Sequence, residues 1–183
     1  NADFTTTQGA EVNFDLRRTN NLQVSANYTL SFAQGTGSDA TTAGTVAWRG
    51  NYFPQFISPS SFDQRHTANV TLDYRLGAGD GPLVGGIRLL ENFGINLIGQ
   101  FGSGQRYTRL QQRNITFIGD SFTPDVSGTL NGSTLPATTR FDLRVDRAFN
   151  LGFQDSRLRA YVQVQNLLDT QNRLAVYRAT GQT

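Results

Sequence analysis

The single histidine of the chain, His66, limits the catalytic chemistry that the sequence can support. The chain has 183 residues, one His and no Cys. A Ser, His, Asp triad would need His66, and a lone His beside Arg65 at the mouth of a strand is more typical of a hydrogen-bonding rim residue than of a general base. With no Cys and only scattered Asp, no metal-ligand spacing is present. The sequence therefore predicts no enzyme, no metal site and no cofactor.

A second set of candidates is a series of charged residues at alternate positions of short segments. These residues are Glu11, Asp15, Arg17, Asp73, Arg75, Arg140, Asp142, Arg144, Asp146 and Arg159. They could line a path for a solute, or they could pair across neighbouring strands as a ladder of ion pairs that rigidifies a wall. The alternation of sign from Arg140 to Asp146 favours pairing over an ion-selective patch of one sign.

Aromatic and arginine residues cluster in two long polar segments, 34–65 and 102–138. The members are Trp48, Arg49, Tyr52, Phe53 and Phe56 in the first segment, and Arg106 and Tyr107 in the second. Trp, Tyr and Arg are common anchors of recognition, and loops often carry function. We expect these residues to contact a ligand or a partner; the alternative is a loop that packs on itself.

The elements that would position these residues are long strands with two chemically different sides. Residues 22–32 read LQVSANYTLSF, in which apolar and uncharged polar residues alternate without a break. Strands in soluble proteins usually have about 5 to 6 residues. This segment, at about 3.3 Å per residue and tilted by about 40°, projects to roughly 27 Å, close to the apolar band of an outer-membrane barrel.

The same alternation recurs along the chain and predicts about seven strands. The other segments are 10–18, 68–76, 93–101, 140–145, 158–164 and a weak one at 173–178. Short and long connections alternate, as in an up-and-down barrel, and aromatic residues at predicted strand ends suggest interfacial girdles: Phe14, Tyr28, Phe32, Tyr74, Phe93, Phe101 and Phe141. No segment has the length of a transmembrane helix, so a spanning chain would have to be a barrel.

Composition restricts the partners of the chain. There are 16 basic and 14 acidic residues, a net charge of +2 and no polybasic run, so nucleic-acid binding is not expected. No linker or change of composition marks a second domain. The absence of Met at position 1 and of a signal peptide suggests a piece of a longer exported precursor.

Several segments resemble the C-terminal part of TonB-dependent outer-membrane receptors, especially the Oar-like branch with a carboxypeptidase-regulatory-like plug. They are QGAEVNF at 8–14, NYTLSFAQGTGS at 27–38, FDQRHTAN at 62–69, SGQRYT at 103–108, RFDLRVDR at 140–147, VQNLLDT at 164–170 and VYRATG at 176–181. The resemblance implies that residues 1–183 are a partial β-barrel domain from the last third of a barrel of roughly 22 strands, without its plug and final strand.

What the resemblance implies about function is energised uptake of a solute or peptide by the full-length protein, located in the cell outer membrane. The partners would be outer-membrane lipid, the remainder of the barrel and its plug, and TonB through the plug region. The charged series could then also dock the plug. Two alternatives remain: a structural or adhesive barrel whose loops bind a partner, and a secreted all-β fibre or sandwich with its apolar side buried against protein.

Overall fold

The computed structural model describes residues 4–38, 56–111, 126–153 and 156–182. Its six long strands are β1 (Thr5–Thr19), β2 (Leu22–Gly35), β4 (His66–Arg75), β7 (Phe93–Gly102), β10 (Thr138–Asn150) and β11 (Arg157–Val164). Its short strands are β3 (Ser58–Pro59), β5 (Leu83–Val84), β6 (Ile87–Arg88), β8 (Arg106–Tyr107) and β9 (Ser133–Thr134). Within these ranges, no helix is long and apolar enough to cross a membrane.

The long strands form one antiparallel sheet in the order β1-β2-β4-β7-β10-β11, and β3 pairs with the end of β2. Each long strand pairs with the long strand that precedes it in the chain. This up-and-down order confirms the predicted all-β antiparallel architecture. Among the described residues the sheet is open, with β1 and β11 at its two edges.

The register gives the sheet two chemically different faces. One row across all six long strands is entirely apolar: Leu16, Val24, Leu72, Leu97, Leu143 and Val164 lie directly opposite one another. We call the side that bears this row the apolar face. The opposite side, the polar face, bears Asp15, Ser25, Thr71 and Asp142 in the neighbouring row, because side chains alternate along a strand.

The apolar face has no cover. Among the described residues, Ala33 is the only buried apolar side chain, with 5% of its surface exposed. Side chains of the edge strands are far more exposed, and Val162 on β11 reaches 68%. The sheet therefore does not enclose a dry hydrophobic core within the part of the chain that the structure describes.

The two ends of the sheet differ in their connections. At the short-turn end, Asn20 and Asn21 join β1 to β2, both with positive φ (49° and 71°), as the tightest hairpins require. Residues 76–92, which include the β5–β6 hairpin, and residues 151–156 lie at the same end. At the long-loop end, residues 36–65 and 103–137 join the strands. The predicted alternation of short and long connections is thus confirmed.

One predicted strand needs correction. Residues 173–178 do not form a strand. The chain leaves the sheet after β11, and the Asn172 side chain bonds to both backbone groups of Thr139 (2.9 and 2.7 Å), so this segment caps the edge of β10 through side-chain hydrogen bonds.

Two members of the predicted aromatic girdles share one row of the apolar face. Phe14 and Phe141 lie in the row that contains Ala26, Val70 and Gly99, and the girdles stay a prediction. The ring of Phe141 lies over Gly99, where an added Cβ would come within 2.8 Å of it. Glycine at this position makes room for the large ring of Phe141.

Candidate functional site

Charged side chains on the polar face join into one chain of ion pairs near the short-turn end. The contacts are Arg18 to Asp73 (2.5 Å), Asp73 to Arg75 (3.0 Å), Arg75 to Asp146 (3.5 Å) and Asp146 to Arg159 (3.7 Å). We call these five residues the ion-pair belt. Because they come from β1, β4, β10 and β11, the belt crosses the whole width of the sheet.

The belt passes over β7 because that strand has no side chain at the crossing point. Gly94 lies opposite Arg75 on one side and Asp146 on the other. A Cβ at Gly94 would lie 3.1 Å from Oδ1 of Asp146 and 3.3 Å from Nη1 of Arg75. Glycine therefore lets an arginine of β4 reach a carboxylate on β10, two strands away.

Most other charges of the predicted series have local partners. Arg140 pairs with Asp142 (2.8 Å), and Asp15 accepts a hydrogen bond from Ser25 (2.6 Å). Glu11 accepts hydrogen bonds from Asn27 and Asn13. Arg144 lies over the ring of Tyr161, 4.3 Å from its centroid. Arg17 makes no ion pair within the described residues. These contacts favour the ladder interpretation; a solute path and plug docking stay predictions.

A buried carboxylate organises the long-loop end. Asp63 has 2% of its side chain exposed and accepts hydrogen bonds from the backbone N–H of Ala33 (2.9 Å) and Nε of Arg106 (3.0 Å). Arg65 contributes a third contact at 3.5 Å. Since Ala33 lies near the end of β2 and Arg106 lies in β8, Asp63 connects the bases of both long loops. Asp63 and Arg18 are not among the site residues predicted from the sequence.

The predicted loop anchors have different surroundings. Trp48, Arg49, Tyr52 and Phe53 lie outside the described residues. Phe56 is exposed. The Arg106 side chain is 13% exposed and is bound to Asp63 and to the hydroxyl of Thr134, and Tyr107 lies beside it in β8, opposite Ser133. Arg106 thus holds the loops together, and contact of these residues with a ligand stays a prediction.

His66 lies on the apolar face rather than in a cleft of acids and nucleophiles. Its Nδ1 is 2.8 Å from the hydroxyl of Tyr28, and the two rings are stacked. Close by, the guanidinium of Arg65 lies over the ring of Phe32 at 5.0 Å. Aromatic and cationic side chains of this kind at the end of an apolar face are typical of a membrane interface.

Metal binding finds no support in the parts of the chain with described positions, where no group of three or more His, Asp or Glu residues could hold an ion.

No curated protein and no solved structure matches the chain. A family model does match: the TonB-dependent receptor-like β-barrel, over residues 1–167. That match covers most of the chain and agrees with a two-faced antiparallel sheet of long strands. The chain belongs to the TonB-dependent receptor-like β-barrel family.

Proposed function

We propose that this chain is part of the wall of an outer-membrane receptor whose full-length form takes up a solute or peptide with energy supplied through TonB. The observation that supports this proposal is the uncovered apolar row across six strands, backed by a polar face of charges and amides. Such a sheet is stable in a membrane if its apolar face meets lipid and its polar face lines a water-filled lumen.

In this arrangement, residues 1–183 form one partial barrel domain. The free edges of β1 and β11 pair with the remainder of the barrel, because unpaired backbone groups are not tolerated in lipid. A plug in the lumen would contact the polar face, and TonB would act through that plug. The motifs from 8–14 to 176–181 support assignment to the Oar-like branch.

One observation favours a second candidate function, a barrel that anchors surface loops for binding a partner. The contacts of Asp63 tie both long loops to the end of the sheet, and Phe56, in the first of these loops, is exposed. An ordered loop base with an exposed aromatic residue suits recognition of another macromolecule.

The orientation of the two faces can be tested with a pair of neighbouring substitutions in the full-length protein. Leu72→Arg places a charge in the middle of the apolar face, where lipid contact costs about 2–4 kcal/mol. Thr71→Arg places the same charge on the polar face. We expect folded protein in the outer membrane to fall for Leu72→Arg and to stay near the wild-type level for Thr71→Arg. Equal effects would contradict the orientation.

Uptake is tested by comparing cells that express the full-length protein with cells that lack it, each with and without TonB. Solutes and peptides lost from the medium are identified by mass spectrometry. The transport proposal expects a loss that needs both the receptor and TonB. If removal of TonB changes nothing, while cells that display the protein bind to other cells or surfaces, the anchor function is the better assignment.

A further inference from the structure

One row of the polar face carries four carboxamide side chains, and an arginine side chain lies at its end. Asn13, Asn27, Asn69, Gln100 and Arg140 lie directly opposite one another on five consecutive strands of the sheet. We call these five residues the amide row. With neighbouring strands about 4.8 Å apart, the row is roughly 19 Å long.

The next row toward the long loops carries hydroxyls. Thr29, Thr67 and Thr138 occupy it, with Gly102 between the last two and Glu11 at its β1 end. The side chain of Gln64 lies over Gly102 and donates a hydrogen bond to the backbone oxygen of Ser103 (2.8 Å). Gly102 thus admits a further carboxamide from the loop to the polar face.

These two rows line an open cavity of about 490 Å³, which also touches Phe101, Gly102, Thr139, Asn172 and Leu174. Besides Thr139 and Asn172, its polar lining residues are Gln64, Thr67, Asn69, Gln100, Thr138 and Arg140. A cavity of this size is within the range of small-molecule sites. It lies on the long-loop side of the sheet, away from the ion-pair belt.

The amides at the centre of the row are available for a ligand. Asn13 and Asn27 bond to each other (2.6 Å) and to Glu11. By contrast, the side chains of Asn69 and Gln100 make no hydrogen bond to any residue that the structure describes, and both are exposed. Each carboxamide offers two donors and an acceptor with two lone pairs.

The charge around the cavity is balanced. Nε of Arg140 contacts both carboxylate oxygens of Asp142 (2.8 and 3.0 Å), and no other polar lining side chain is charged. A charged ligand would therefore meet no unpaired opposite charge there. A peptide would need pockets for its apolar side chains, and among the described residues the polar face offers only Ile98 next to the amide row. Of the two apolar residues that line the cavity, Phe101 belongs to the apolar face by its register and Leu174 lies outside the sheet.

We propose that Asn69 and Gln100, with the hydroxyls of Thr67 and Thr138, form a binding site for an uncharged polyhydroxylated solute, a short neutral glycan. Sugar hydroxyls both donate and accept, as carboxamides do, so every polar group of the row finds a match without a charge. This inference rests on the proposed function, because it requires the polar face to line the path of the solute.

The test uses the purified full-length receptor in detergent micelles and ligand-detected NMR. The probes are three neutral tetrasaccharides (maltotetraose, cellotetraose and mannotetraose), the acidic tetragalacturonate and capped tetraglycine. The variant is Asn69→Leu with Gln100→Met, which removes both amides at similar size. The matched control is Gln163→Glu, on the polar face of β11 opposite Arg144 and outside the amide row.

We expect at least one neutral tetrasaccharide to bind and the double variant to bind it about tenfold or more weakly, since both carboxamides lose their hydrogen bonds to the sugar. The control should bind as the wild type does. The inference is overturned if no neutral tetrasaccharide binds, if the double variant binds equally well, or if tetraglycine or tetragalacturonate shows the same dependence on the two amides.

The two proposals fail in different ways. A receptor that takes up its solute in a TonB-dependent manner but binds none of the neutral probes overturns the glycan site and leaves transport standing. A receptor that binds a neutral probe through Asn69 and Gln100 but shows no TonB-dependent uptake supports the site and removes the transport proposal.

Discussion

Asp146 is the central carboxylate of the ion-pair belt. We predict that removal of this anion and removal of its two cations lower the free energy of unfolding by unequal amounts. Asp146 is 4% exposed and contacts Arg75 and Arg159, whose side chains are 36% and 59% exposed. In one variant, Asp146→Asn removes the anion. In the other, Arg75→Gln with Arg159→Gln removes both cations.

The size of each effect follows from which charge is left in a poorly hydrated position. Each ion pair has a gross attraction of about 5 kcal/mol at an effective dielectric constant of 20. After Asp146→Asn, both guanidinium groups are open to water, and Arg75 keeps Asp73 at 3.0 Å, so we expect a loss of only about 1–2 kcal/mol. The double arginine variant leaves a buried carboxylate without a cation. For this variant we expect the free energy of unfolding to fall by about 3–5 kcal/mol.

The assay is denaturant unfolding of the full-length receptor in detergent, with the folded fraction read from heat-modifiable electrophoretic mobility. Arg157→Gln is the control, because Arg157 lies on the polar face of β11 and makes no ion pair within the described residues. The reasoning is refuted if Asp146→Asn destabilises the protein as much as the double arginine variant, or if the control does so.

Three further predictions concern single contacts. Gly94→Val should lower the free energy of unfolding at least as much as Asp146→Asn, because a Cβ would lie 3.1 Å from Oδ1 of Asp146; denaturation of the two single variants and the double variant should show losses that are not additive, and additive losses would contradict the proposed crossing. Asp63→Ala should speed hydrogen exchange at Ala33 and in β8, because Arg106 loses its buried partner, while exchange in β10 stays slow; unchanged exchange at Ala33 would remove the loop-base role. Asn172→Ala should speed exchange of the Thr139 amide and cost about 1–3 kcal/mol, since two backbone groups lose their partner; an unaffected Thr139 would show that other groups cover this edge.

Alternation alone predicted most of the fold. The pattern identified all six long strands, and the short turn at Asn20 and Asn21 and the long loops followed from composition. The weak segment at residues 173–178 was predicted wrongly because its alternation is short, and because Asn172 satisfies the β10 edge with side-chain atoms. Hydrophobic pattern carries no information about which atoms, backbone or side chain, cap an edge.

The candidate site was less accessible to sequence reasoning. The ladder interpretation anticipated pairing, and Asp73, Arg75, Asp146 and Arg159 do join in one belt. Arg18 was missed because it lies at an even-numbered position of β1, like the apolar residues before it, and was therefore expected on the apolar face. A register shift between Leu16 and Thr19 lets it reach Asp73. Such an irregularity has no signature in a period of two.

The glycines of β7 show how a residue without a side chain can shape both faces of the sheet. Gly94 and Gly102 lie on the polar face, where Arg75 reaches across the first to Asp146 and Gln64 lies over the second. Gly99 lies on the apolar face under the ring of Phe141. In each case a neighbouring side chain occupies the space where a larger residue would place its own side chain. Glycine contributes no signal to a hydrophobic pattern. Side chains from two neighbouring strands and one loop nevertheless occupy the space that these glycines leave open on the two faces of the sheet.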